Sequence, residues 1–145
     1  MKLHSLKERA LLVAPIRIIL GLAWIAAAAS RAGRGPSLLA GVSAALILVF
    51  IAFNDPRSRF IRSAEPQPAP PDADVAPRLE QALKAMLPST VGVSVLAAIA
   101  LFPQPILCAF LGGVSVGLGA AAALSGLLAD PALYLDPATS TVYRR

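Results

Sequence analysis

One arginine stands inside a stretch otherwise suited to hydrocarbon. Arg17 lies in "ALLVAPIRIILGLAWIAAAA", seven residues from its start. A guanidinium at that position is a functional candidate, because it keeps its charge and binds phosphate or carboxylate in a planar fork. It would contact an anionic solute, a lipid phosphate or an acidic group of another subunit. Its depth is about 10 Å at ~1.5 Å per residue. An arginine can reach the headgroups from there, and snorkelling is the plainer expectation.

The remaining reactive side chains form no constellation. His4 is the sole histidine and sits near the amino terminus with no second ligand beside it. Cys108 is the sole cysteine, which excludes an internal disulfide, and it suits a small apolar filler. Ser43, Ser94 and Ser115 can bond to backbone carbonyls or across helices, but none has a triad partner in view. No Asp or Glu lies well inside an apolar run, so the usual carrier of a proton or cation relay is missing. The chain resembles the small multidrug resistance transporters only in size and span count, and their membrane carboxylate is absent. There is no phosphate loop, zinc spacing or paired-carboxylate motif. The expectation is a protein that is not an enzyme, with no cofactor and no metal.

A different pattern points to packing. In "AFLGGVSVGLGAAAALSG", Ala109, Gly113, Gly117, Ala121 and Ser125 recur every fourth residue, and Gly112 and Gly119 widen the row. In lipid, helices associate through close van der Waals contact, which small residues permit. The row is therefore expected to face another helix. The chain's own first or second span is the nearer partner, and a second protein is the alternative.

These residues need helices to carry them. The chain has 145 residues, 57% of them hydrophobic and 14% charged, against about 25% charged in soluble domains. That deficit places most of the chain in lipid. Four spans are expected, at about residues 10–29, 37–53, 88–102 and 105–129. The third is short for a hydrocarbon core of about 30 Å. Gly35-Pro36 and Asn54-Asp55-Pro56 bound the second, and Asp130-Pro131 stops the fourth. The turns "SRAGRGP" and "PQP" are tight. The middle connection is long, with a Pro-rich, extended cytoplasmic linker at about residues 63–77. After it, Leu79, Leu83, Met86 and Leu87 share one face of an amphipathic helix. That helix either lies on the membrane surface or forms the wet end of the third span.

Lys2, Lys7 and Arg9, the cluster Arg57, Arg59, Arg62, Arg78 and Lys84, and Arg144 with Arg145 all fall on one side; only Arg31 and Arg34 fall on the other. The basic side is expected to be cytoplasmic, giving a multi-pass protein of a bacterial inner membrane with both termini inside. The net charge of +5 fits anionic headgroups better than nucleic acid, since aromatic residues do not interleave with the basic ones. A cleaved signal peptide ending after Ala29 is an alternative, but Arg17 splits its apolar core. Trp24 sits in mid-span or near the outer interface, and Tyr134 suits an interfacial anchor in a tail that docks or frays.

At a shift of 72 positions, "ERAL" at Glu8 meets "EQAL" at Glu80, and "GVS" at Gly41 meets "GVS" at Gly113. Each half then reads as one helical hairpin, a parallel tandem repeat, although Ala- and Leu-rich spans also match by chance. The expected fold is all-α, a bundle of four transmembrane helices. The expected role is a non-enzymatic accessory, scaffold or assembly partner in a membrane complex. Its contacts are the bilayer and either a membrane-protein partner or a second copy. The alternative is a small oligomeric transporter or channel in which Arg17 meets an anionic solute.

Overall fold

A computed structural model describes residues 2–56, 65–75, 78–128, 132–136, 139 and 141–145. The chain is mostly helical: α1 Leu6–Ala32, α2 Arg34–Asn54, α3 Arg78–Ala100 and α4 Pro105–Leu128. Three helical segments are long and apolar enough to cross a membrane: Leu11–Ala32, Arg34–Asn54 and Pro105–Leu128. The apolar part of α3, Met86–Ala100, is shorter, about 22 Å at ~1.5 Å per residue.

Local chemistry sets the helix ends. α1 stops at Gly33, whose φ of 88° suits a residue without Cβ, and the Gly33 N–H donates to the Ala29 carbonyl at 3.1 Å. The same glycine precedes α2, so the turn is a single residue long. Pro36 falls in the first turn of α2, where a missing N–H costs little. At the far end of α2, the Asn54 side-chain amide donates to the Phe50 carbonyl at 2.9 Å. Asp55 is then extended (ψ 134°), as the residue before a proline prefers. The Gln104 carbonyl accepts the first bond of α4 from the Cys108 N–H at 3.1 Å, and Pro105 occupies the first helical position.

The structure decides one open alternative and adds one feature. α1 runs unbroken through Pro15, and α3 runs unbroken through Pro88. Residues 78–87 are thus the start of one long third helix and not a separate surface helix. The side chains of Leu79 and Leu83 lie outside the described residues, as do the basic run at 57–62 and the Asp130-Pro131 stop.

The added feature is a small sheet of very short strands beside the helices, which carry most of the chain as expected. β1 (Lys2–Ser5), β2 (Gln67–Pro68), β3 (Asp74–Val75), β4 (Leu133–Leu135) and β5 (Val142–Arg144) pair in the order β2-β5-β4-β1-β3. The amino terminus, the described part of the Pro-rich connection and the carboxyl-terminal tail therefore meet. Pro68 lies in an edge strand, where a missing donor is tolerated. In the β4–β5 turn the Asp136 N–H donates to the Thr141 carbonyl at 3.0 Å, and the Thr139 hydroxyl donates to the Asp136 carboxylate at 2.8 Å. Leu3, Ala73 and Val142 are buried.

α4 occupies the centre. It packs most extensively on α1, then on α2, and more thinly on α3, while α2 and α3 have almost no contact.

Candidate functional site

The small residues of α4 point two ways. Toward α2, a Cβ placed on Gly113 would lie 2.8 Å from the Cα of Gly41, and one on Gly117 would lie 2.7 Å from the Ala45 carbonyl oxygen. Toward α1, a Cβ on Gly112 would lie 2.7 Å from the Gly21 carbonyl oxygen, and one on Gly119 would lie 2.9 Å from that of Ala14. Real Cβ atoms do not come so close to backbone. These glycines therefore set the interhelical distance. The Gly21 position is reciprocal: a Cβ placed there would strike the Gly112 carbonyl oxygen and lie 2.6 Å from a Val116 methyl group, and Ile25 covers both Gly41 and Gly112.

Ala109, Gly113, Gly117 and Ala121 are buried, but Ser125 is exposed, and Gly126 is buried in its place. Helix geometry explains this. A row taken every fourth residue turns by about 40° per step at ~3.6 residues per turn, so from Ala109 to Ser125 it turns by about 160°. Gly112, Gly119 and Gly126 are seven apart, and such a row drifts only ~20° per step. All three are buried.

Arg17 is held between helices. Its Nη2 donates to the Ser89 hydroxyl at 2.7 Å and its Nε to the Thr90 hydroxyl at 3.3 Å, both on α3. Its own carbonyl accepts from the Ser115 hydroxyl of α4 at 2.9 Å. The arginine thus joins three helices, and its side chain is half-buried. Ser89 also donates to the Met86 carbonyl at 3.2 Å. Sequence reasoning missed this pairing, because Ser89 and Thr90 are unremarkable in a helix and lie more than seventy residues away; the one available signal was the 72-position shift, which aligns Arg17 with Ser89.

The other candidates are scattered. The Cys108 thiol is buried and donates to the Trp24 carbonyl at 3.7 Å. Ser43 is exposed and Ser94 is half-buried. His4 lies on β1 opposite Leu135, with Tyr134 opposite Tyr143 on the neighbouring pair of strands. Among the described residues, no three His, Cys, Asp or Glu side chains are grouped to hold a metal ion. The Trp24 indole N–H and the Ser37 hydroxyl are buried with no partner among the described residues. At the far turns, the Arg31 guanidinium stacks on Phe102 at 4.4 Å from the ring centre. This contact fits a cation on an aromatic face and ties the end of α1 to the end of α3.

No family model matches the chain. No curated protein and no solved structure matches it either.

Proposed function

We propose that this is a non-enzymatic integral membrane protein that serves as an accessory, scaffold or assembly partner in a larger membrane complex. One observation carries the proposal. Polar side chains lying between helices bond to protein groups of a neighbouring helix: Arg17 is bonded to Ser89 and Thr90, Ser115 to the Arg17 carbonyl, and Cys108 to the Trp24 carbonyl, whereas the Trp24 indole and the Ser37 hydroxyl have no partner among the described residues. Groups used this way act as interhelical glue. The same bonds weigh against a solute-binding Arg17, since a passing anion would have to compete with hydroxyls already in place.

In this proposal α3 is a fourth span and the helices form a bundle with both termini cytoplasmic. The short apolar part of α3 is accommodated by local thinning of the bilayer. A tandem-hairpin origin is supported by contacts between positions 72 apart: Arg17 with Ser89, Gly41 with Gly113, and Ala45 with Gly117. Equivalent positions of two repeats meet where a twofold axis runs between them. The close α1–α4 packing has no α2–α3 counterpart, so any such symmetry has been lost around α3.

Native gels of solubilised membranes, run beside flux assays on purified vesicles, test the role. A heteromeric complex that loses a defined partner on deletion of this chain is expected. A homo-oligomer that conducts an anion, with flux abolished in Arg17→Met, would overturn the proposal. Reporter fusions at Ala69 and at the carboxyl terminus should read cytoplasmic, and one at Gly33 outside.

A further inference from the structure

Beside the one-residue turn at Gly33, the end of α1 and the start of α2 enclose an open groove of about 460 Å³. Its walls are apolar: Leu22, Ala26, Ala29 and Leu38, with Ser30 and Arg34 at its polar end. The groove exists because Ala26 and Ala29 put little volume on the α1 face where α2 begins. In a bilayer such a space is filled by lipid, as water finds too few polar partners there.

The polar end has a definite sign. No Asp or Glu occurs between Ala10 and Asn54, nor between Met86 and Ala129, so neither tight turn brings an acidic residue to this end of the molecule. Arg31 is stacked on Phe102. Arg34 is exposed and makes no ion pair or side-chain hydrogen bond among the described residues. The Ser30 hydroxyl is already turned to the Ala27 carbonyl at 2.7 Å, which leaves Arg34 as the groove's available polar group. The α2 helix adds to the positive field, since its first turn has no acidic residue and no side-chain cap.

We propose that this groove seats one acyl chain of an anionic phospholipid whose headgroup phosphate rests on Arg34. A guanidinium matches a phosphate with paired hydrogen bonds, and the chain below it fills the apolar walls. The proposal rests on α1 and α2 lying in a bilayer and is independent of the assembly role proposed above.

Native mass spectrometry of the full chain tests it. The purified protein is titrated with phosphatidylglycerol and with phosphatidylcholine carrying identical acyl chains. The wild type should retain one phosphatidylglycerol about fivefold better, the ratio expected for one surface arginine. Arg34→Gln should bring that ratio to about one, with phosphatidylglycerol losing more than phosphatidylcholine, whose phosphate shares the contact but whose headgroup carries no net charge. Ala26→Phe, which fills the groove and leaves the charge in place, should weaken retention of both lipids several-fold. Circular dichroism checks that both variants stay folded. A preference that survives Arg34→Gln, or retention that is indifferent to Ala26→Phe, overturns the site. Alkaline carbonate extraction separates this from a failure of the membrane placement. A chain released by carbonate contradicts the bilayer itself, whereas a carbonate-resistant chain with no lipid preference sinks the lipid site alone.

Discussion

Gly92 and Gly113 each open the tripeptide Gly-Val-Ser in an apolar helix, and their surroundings are opposite. A Cβ on Gly113 would strike the backbone of Gly41, which itself opens a third Gly-Val-Ser. A Cβ on Gly92 would have nothing within 4 Å. The serines differ in the same way: Ser115 is buried and bonded to α1, Ser43 is exposed, and Ser94 is half-buried. A small residue in a span therefore marks a close contact only where another helix is opposite. The two helices differ accordingly. α4 packs against every other helix, whereas α3 holds on through Arg17, Arg31 and one small cluster in which its buried Ala97 and Ala100 meet Ala28 of α1 and Cys108 and Ala109 of α4.

The comparison can be broken first at Gly117. Gly117→Leu drives side-chain atoms into Ala45 and Leu48 and should destabilise the protein by about 3 kcal/mol, although leucine is the better lipid residue. Ala122→Leu, at a half-buried position off that face, should cost clearly less. Thermal unfolding in detergent reads both, and equal losses would reduce the α4 pattern to composition. If the lost partner is α2 of the same chain, the monomer itself melts earlier.

A smaller effect is expected where α3 is tethered. Arg17→Met keeps an apolar side chain of similar reach but loses the bonds to Ser89 and Thr90, and should cost about 1–2 kcal/mol. Arg17→Lys retains one charged donor and should recover about half of that. Cysteine accessibility at position 92 would show whether the loss loosens α3 in particular. An Arg17→Met protein as stable as the wild type would mean that the tether contributes nothing.

Ser37 sharpens the comparison from the other side. It is fully buried, and its hydroxyl has no partner among the described residues. Removing an unsatisfied hydroxyl relieves a desolvation cost, so Ser37→Ala should leave stability unchanged or raise it by up to ~1 kcal/mol. A loss above ~1 kcal/mol would mean that the hydroxyl is bonded after all.

Much of this arrangement was legible in the residues. Asn54-Asp55-Pro56 marked the end of α2 and Pro105 the start of α4, because these residues act through local backbone geometry, whereas Gly35-Pro36 lies inside the first turn of α2 and the break falls at Gly33. The start of α3 stayed open between two readings, since Pro88 also reads as a boundary and is instead carried inside the helix. The sheet was missed because its strands are two to four residues long and drawn from three distant segments. Spacing identifies a face of one helix but not the helix opposite. Gly112 and Gly119 therefore read as a widening of the Gly113 row, although they contact a different neighbour. The partners of Arg17 were hidden for the same reason.

The central claim is that α4 is thin so that backbones can touch. One substitution made at two identical tripeptides tests it most directly. Glycine to alanine adds a single methyl group and by helix propensity alone should stabilise by about 1 kcal/mol. Gly92→Ala should show that gain in thermal unfolding of the purified protein. Gly113→Ala should instead lower stability, because its methyl group meets the backbone of Gly41. Equal gains at both positions would contradict the claim.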